Sequence, residues 1–412
     1  MVSLGILGVC GIFANIIIVL IRGEAALGIF NQCFAFFIIL SQIGVGGLQF
    51  STLKHVSYQQ NDHSAFKHIL ISALFLSGII SFLITVSLFT CNAYIGKIFK
   101  SPELAKGIIL MLPGLFIFSF NKIILMGING LGLMKKFAFF QALRPLLILI
   151  SIIIICFQNT PDYYLILSLS FTEILVFFSM FIYFLYPKIY PLDFDYNTFR
   201  DWLKRHISFG SRGFLSGVLV ELNTRVDVLM LGILLSDKAV GIYSFASVIA
   251  EGIGQLSNII RQNIDPIIGK AIAKRDSEQI KLCKVLVRKK YFPKMLGVGL
   301  TLLVIYPLLL FLLNNYFNKN LDIKSYQVLI ILIVFYVISS LYQPFIGLLI
   351  IVNKPELFTI IAVFAILFNV ILNYFLIPII GVHGAALSTG LIALLQGLIV
   401  KKIGMQQLNK LL

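Results

Sequence analysis

Run after run of apolar residues, each near the length needed to cross a bilayer, governs what this chain can fold into. A helix needs about 20 apolar residues to traverse about 30 Å of hydrocarbon. Twelve stretches approach or exceed that length, at roughly 2–21, 26–50, 68–90, 107–131, 137–157, 163–186, 208–234, 239–263, 291–313, 327–350, 357–377 and 383–400. Charged residues, Pro and Gly separate them. Because lipid offers no partner to a backbone amide, each stretch is expected to be helical. Composition agrees: 59% of the 412 residues are hydrophobic and 12% charged, against about half and about a quarter in a soluble domain. The expected fold is therefore an all-α polytopic membrane protein of about twelve transmembrane helices.

The first stretch has no basic leader and no small-x-small cleavage site, so it reads as a first helix and not a removed signal. It is short at its front, and a few further residues are expected upstream. The five cysteines, Cys10, Cys33, Cys91, Cys156 and Cys283, stand singly. With no CxxC pair and no His at ligand spacing, neither a disulfide nor a metal site is expected.

A formal net charge of +16 raises nucleic acid as a partner, but binding it needs the bases on one soluble face. Here they sit between apolar runs, so no nucleic-acid partner is expected. Counting alternate loops orients the chain. With the N-terminus inside, the inner loops and tail hold 21 of the 33 bases, nine of them between Lys270 and Lys294, and the outer loops hold seven. Both termini are expected in the cytoplasm. Two basic inner segments read as interfacial helices. In one, Phe199, Trp202, Leu203 and His206 share a face opposite Arg200, Lys204 and Arg205, as a helix lying on an anionic leaflet requires. The other is Ile267 to Lys290. Anchoring a link between two halves is the role expected of both, ahead of a regulatory one.

An internal repeat supports two halves. Glu24-Ala-Ala-Leu-Gly-Ile-Phe30 aligns with Asp237-Lys-Ala-Val-Gly-Ile-Tyr243, and the same offset pairs Gln42 with Gln255 and Gln49 with Gln262. An even number of helices per half gives both the same orientation, related by a pseudo-two-fold axis along the membrane normal. The expected division is a six-helix lobe over 1–186, an amphipathic cytoplasmic linker over 187–207 and a second six-helix lobe over 208–412.

No nucleophile elbow, phosphate loop, metal cluster or paired carboxylate has credible spacing, so no catalytic residue and no cofactor is expected. What remains is polar residues at membrane depth, which are expensive and functional suspects by default. The bases are Lys122, Arg144, Arg212, Arg225 and Arg261; the acids are Glu173, Glu221, Asp227 and Glu251. Glu221 and Arg225, four apart, can form an internal ion pair. Arg212 and Arg261 lie near helix ends and can snorkel. Lys122 and Arg144 have no acid within helical reach and are the sharper candidates. In the eighth stretch Ser244, Ser247, Glu251, Gln255, Asn258 and Gln262 fall on one stripe. Asn31, Gln42 and Gln49 repeat it in the second. Such stripes serve as interhelical hydrogen-bond glue or line a water-filled cavity, and a stripe in each half favours the cavity. Pro113, Pro145 and Pro344 interrupt the fourth, fifth and tenth stretches.

With Leu27-Gly28-Ile29-Phe30 recurring at Val240-Gly241-Ile242-Tyr243, a basic amphipathic linker and Pro266 after the eighth stretch, the chain resembles the polysaccharide-biosynthesis flippases. These are the O-antigen repeat-unit translocases of the MATE-like multidrug, oligosaccharidyl-lipid and polysaccharide exporter superfamily. The resemblance implies two lobes around a central cavity and translocation of an undecaprenyl-pyrophosphate-linked oligosaccharide across the bacterial inner membrane by alternating access. Lys122, Arg144, Arg225 and Arg261 would then attract pyrophosphate, while Asn31, Gln42, Gln49, Glu251, Gln255, Asn258 and Gln262 meet sugar. The implied partners are the lipid-linked oligosaccharide, the bilayer and other polysaccharide-assembly membrane proteins. The alternatives are a cation-coupled multidrug antiporter of the same fold and a membrane-embedded polysaccharide polymerase or ligase.

Overall fold

The structure, a computed structural model, describes residues 2–60, 62–185, 195–273, 276–317 and 321–409. It is 91% helix, with no strand among the described residues. Residues 187–194, the start of the expected linker, lie outside them, as does the side chain of Arg212. The chain forms two compact units, Met1–Arg22 with Ile29–Arg225, and Gly23–Gly28 with Val226–Leu412.

Unit 1 carries α1 (Val2–Arg22), most of α2 (Glu24–Val45), α3 (Leu48–Tyr58), α4 (His63–Ile98), α5 (Pro102–Gly130), α6 (Met134–Cys156), α7 (Leu167–Met180) and the first part of α8 (Tyr196–Leu234). Unit 2 carries the rest of α8, then α9 (Asp237–Ala273), α10 (Ser277–Leu286), α11 (Phe292–Phe317), α12 (Lys324–Ser339), α13 (Leu348–Ile351), α14 (Pro355–Ile380) and α15 (Val382–Asn409). Exposed Phe82, Leu300 and Phe364 show the apolar outer faces that lipid requires. By length and composition, nine helices among the described residues can cross a membrane, or ten if the bent pair Lys324–Ser339 and Gln343–Ile351 is one span. That falls short of the expected twelve. The stretch at 2–21 contributes the shorter apolar helix Gly8–Arg22, and 208–234 is the second half of α8.

Several local features depart from the expected spans for identifiable reasons. The stretch at 26–50 breaks where Gly46 and Gly47 take φ of 60° and 74°, a left-handed backbone that glycine adopts without a side-chain clash. Gln49 therefore sits on α3, not on the helix of Asn31 and Gln42. A Cβ on Gly47 would lie 2.3 Å from the Gly210 carbonyl oxygen, so the elbow abuts α8. Pro113 leaves α5 continuous, because Ser170 of α7 repairs the helix ladder beside it. The Ser170 hydroxyl accepts from the Gly114 amide at 3.0 Å and donates to the Leu110 carbonyl at 2.6 Å.

The amphipathic start of α8 covers protein instead of lying on lipid. Trp202 is buried and packs edge-on against His55 at 5.1 Å, and Phe199 meets Phe75 at 5.7 Å. His206 is fully buried, its Nε2 donating to the Ile69 carbonyl at 2.9 Å and its Nδ1 bonded to the Ser51 hydroxyl at 2.8 Å. Burial, opposed by the bond to Ile69, holds its pKa down to about 4. Asp195 caps this helix through the amides of Asn197 and Thr198. The second basic segment divides into the end of α9 and α10, which Asp276 caps by accepting from Glu278 and Gln279.

In unit 2 the repeat acquires a physical reason. A Cβ on Gly28 would lie 1.7 Å from the Asp237 carbonyl oxygen, and one on Gly241 would lie 1.7 Å from the Glu24 carbonyl oxygen. Each glycine receives the first residue of the other helix, so the two copies of the motif grip one another reciprocally. Glu24 adds a bond from the Asp322 amide at 2.8 Å and a contact with Lys238 at 3.7 Å.

Candidate functional site

The intramembrane charges of unit 1 converge from four helices. On α5, Phe118, Asn121 and Lys122 share a face by their i, i+3 and i+4 spacing. Arg144 comes from α6, Glu173 from α7, and Glu221 and Arg225 from α8. Arg144 finds on α7 the acid that it lacks on its own helix: its Nε lies 2.7 Å from one Glu173 oxygen and its terminal nitrogen donates to the other at 3.1 Å. Asn121 completes the shell, donating to the Glu173 backbone and side-chain oxygens at 2.8 Å each. The Glu173 side chain is 2% exposed and that of Arg144 20%. A charge buried so completely is tolerable only with such partners. The Arg144 guanidinium also lies 4.6 Å above the Phe118 ring.

Lys122 is different. Half-buried, it makes no ion pair within 4 Å and no hydrogen bond among the described residues, and its ammonium lies 6.0 Å from the Phe118 ring. Arg144, Glu221 and Glu173 are the charges that act on it. The expected Glu221–Arg225 pair is not closed within 4 Å; Arg225 instead lies over the Phe34 ring at 5.3 Å, its Nε buried without a hydrogen bond. With Arg144 and Glu173 neutralising each other, Lys122, Arg225 and Glu221 leave one positive charge. That arrangement can attract an anion without being saturated by its own acids.

Of the amides, Gln42 and Gln49 are buried and both point to Gly217 of α8, whose added Cβ would lie 3.5 Å from Gln42 Oε1 and 3.9 Å from Gln49 Nε2. Asn31 is bonded elsewhere, donating to Asn15 of α1 at 3.0 Å. It acts there as glue between helices.

In unit 2 the α9 stripe changes character along its length. Ser244 and Ser247 are buried, Glu251 and Asn258 half-buried, and Gln255 and Gln262 exposed. Arg261 is half-buried, with Asp265 one turn on acting on its charge. Asp227, one of the suspect intramembrane acids though not of the expected binding set, gathers in this unit a cluster whose other members the sequence reading did not name. The Asp227 carboxylate is buried and accepts from Asn373 at 2.8 Å, from the Tyr243 hydroxyl at 3.2 Å and from Thr389 at 2.5 Å, while Asn373 also donates to Asn369 at 2.8 Å. Four helices thus hold one acid with neutral donors. Two amides four apart, Asn369 and Asn373, inside an otherwise apolar run were the legible signal.

The fold is one that solved transporters share. Over its full length the chain is similar to a multidrug resistance MATE family transporter of the MOP superfamily in an inward-facing conformation, with TM-score 0.78, 16% identity and 98% of that chain covered. It is similar also to the lipid II flippase MurJ in an inward closed conformation, at TM-score 0.73 and 15% identity, covering 100% of this chain and 89% of that one. A third is a MOP superfamily transporter from Pyrococcus furiosus, at TM-score 0.58 and 16% identity, covering 100% and 94%. No curated protein matches the chain. The MatE family model matches residues 214–375. The chain is thus a multi-pass membrane protein on a MATE-like scaffold, and because the polysaccharide biosynthesis protein model matches residues 6–272, well over half its length, it belongs to that family.

Proposed function

We propose that this protein flips an undecaprenyl-pyrophosphate-linked oligosaccharide, the repeat unit of an O-antigen or capsule, across the bacterial inner membrane by alternating access. Both termini are cytoplasmic in this reading, and the chain works as lobes over 1–186 and 208–412 joined by the 187–207 linker. Lys122 carries the argument: a half-buried ammonium at membrane depth, without an ion pair among the described residues, acting on Glu221 together with a second such base, Arg225. A diphosphate cannot enter hydrocarbon alone, and charge-assisted hydrogen bonds from such groups offset its desolvation. Arg144 supports the pocket through Glu173 and is a positioning residue. Gln42 and Gln49 supply sugar-bonding groups in unit 1, with Glu251, Gln255, Asn258 and Gln262 the corresponding set in unit 2, where Arg261 is the base for pyrophosphate; Asn31, bonded to Asn15, is a weaker member of the sugar set. Lipid-linked oligosaccharide, bilayer and other polysaccharide-assembly membrane proteins are the partners. The experiment is Lys122→Gln in a strain lacking the chromosomal copy. Loss of surface polysaccharide, with normal insertion and lipid-linked units retained on the cytoplasmic face, is expected. Normal export by that variant removes Lys122 from the mechanism, and units accumulating unpolymerised outside would indicate a polymerase or ligase.

One observation favours a second reading, a cation-coupled multidrug antiporter on the fold shared with the solved multidrug resistance MATE transporter. Asp227 is a buried acid with no base among its bonded partners. Against it, Glu173, the acid that a cationic drug would need in unit 1, is already held by Arg144. Drug resistance conferred on overexpression would favour the antiporter.

A further inference from the structure

Unit 2 contains its own group of bases. A cavity of about 440 Å³ is lined by Lys284, Val287, Arg288, Leu341, Tyr342 and Lys401. Lys284 comes from the last turn of α10, Val287 and Arg288 from the π-helical turn Val287–Tyr291, Leu341 and Tyr342 from the break after α12, and Lys401 from α15. No carboxylate lines it, and none of the three bases makes an ion pair within 4 Å among the described residues. Lys284 instead acts on Lys401 as a like charge.

Two backbone irregularities meet here. The π turn adds a residue to the helical turn that bears Arg288, and such turns recur at functional sites. On the other wall the chain bends by 49° between Lys324–Ser339 and Gln343–Ile351. That bend frees the Leu341 carbonyl, which accepts from Lys401 Nζ at 3.3 Å. The same ammonium lies 4.9 Å from both the Tyr342 and Phe345 rings. One cation is therefore fixed by cation–π contact, while Lys284 and Arg288 remain exposed at the mouth. On α10, Val285 is exposed at 47% and lies three residues before Arg288 on the same face, and Leu282, three residues before Val285, continues the exposed apolar surface at 64%.

Three bases without a counter-ion repel one another, and an anion between them relieves that repulsion. A guanidinium fork matches the two non-bridging oxygens of a phosphodiester, and the ammoniums beside it add attraction for the same charge. Basic pockets between membrane helices, on the side with the densest positive charge, suit anionic headgroups. That side carries the nine bases between Lys270 and Lys294. We propose that this cavity binds the phosphodiester headgroup of an anionic phospholipid between Arg288, Lys284 and Lys401, with its acyl chains passing over Leu282 and Val285.

The test uses the full-length protein, delipidated in a neutral detergent and titrated with dioleoyl phosphatidylglycerol or dioleoyl phosphatidylcholine under native mass spectrometry. Wild type should retain phosphatidylglycerol selectively. At about fivefold per base, the Lys284→Gln/Arg288→Gln/Lys401→Gln protein should bind it roughly 100-fold more weakly. Arg288→Gln alone removes an exposed side chain that has no hydrogen bond among the described residues, and should weaken binding about fivefold with the fold intact. Lys289→Gln/Lys290→Gln, exposed but outside the lining, should leave affinity unchanged. Equal affinity in wild type and both cavity variants overturns the proposal. So does displacement of the lipid by millimolar inorganic phosphate, which would make a soluble phosphate the ligand. Because the readout is lipid retention and not export, it stands apart from the flippase reading.

Discussion

Removing the guanidinium of Arg144 should destabilise unit 1 far more than removing the ammonium of Lys122, although both are single bases of the same transmembrane cluster. Arg144→Met strands Glu173, whose side chain is 2% exposed, with only Asn121 as a donor. Breaking a buried ion pair from one side costs about 3–5 kcal/mol, a large share of the roughly 5–15 kcal/mol that holds a domain together. Glu173→Gln should cost less, about 1–3 kcal/mol: its amide oxygen still accepts from Asn121, and Arg144, 20% exposed, has a route to water. In Arg144→Met/Glu173→Gln the stranded charge is gone, so the double variant should be more stable than Arg144→Met alone, with a coupling energy of about 2 kcal/mol or more. Trp202, the chain's one tryptophan, is buried in unit 1 against His55 and reports its unfolding by fluorescence in denaturant titrations of detergent-solubilised protein. Losses that add to within about 0.5 kcal/mol would refute the pairing, as would an Arg144→Met protein as stable as wild type. Lys122→Gln, with no ion pair to lose, should change stability by no more than about 1 kcal/mol.

His206 makes stability depend on pH. Its folded value of about 4 lies below the roughly 6.5 of an unfolded imidazole, so the unfolded chain binds the extra proton between those values. Stability is full above about pH 6.5 and falls toward pH 4 by up to about 3 kcal/mol; Trp202 fluorescence melts of wild type and His206→Gln, the latter with a flatter profile, check the sign. Gly241→Val should block correct assembly of unit 2, because the new Cβ would start 1.7 Å from a backbone oxygen that no rotamer change can move; overpacking costs about 1–3 kcal/mol even where neighbours yield. Size-exclusion profiles of fluorescently tagged protein report it, and a wild-type profile would contradict that close approach. Asp227→Ala should leave the Asn373, Tyr243 and Thr389 donors without their acceptor, for a loss of about 1–3 kcal/mol, with Asp227→Asn losing less in the same thermal assay.

The helical segments were legible because a bilayer imposes a minimum length on every apolar run. Their breaks were less so. Gly46 and Gly47 interrupt the second stretch without interrupting its hydrophobicity, and only the backbone angles reveal a separate α3. The Phe199, Trp202 and His206 face was readable as a face, but periodicity does not distinguish lipid from protein as the surface it meets. Arg144 had an acid 29 residues away on α7, beyond any spacing rule, so the two candidates that the sequence made equivalent separate into a paired base and an unpaired one. Asp227 gathers partners up to 162 residues distant. The repeat was the most informative pattern, and its glycines turn out to be spacing devices.

That reciprocal grip also determines how the chain can be divided. The hexapeptide Gly23–Gly28 belongs to unit 2 while the residues on either side of it belong to unit 1. A fragment beginning at Val226 would thus lack a piece of its own interior, and Gly241 would face a vacancy where Glu24 should be. Severing the protein at its midpoint would not yield two autonomous halves. Co-expressed fragments should reassemble only if the amino-terminal piece donates that short peptide, much as a strand is lent between partners in complementation.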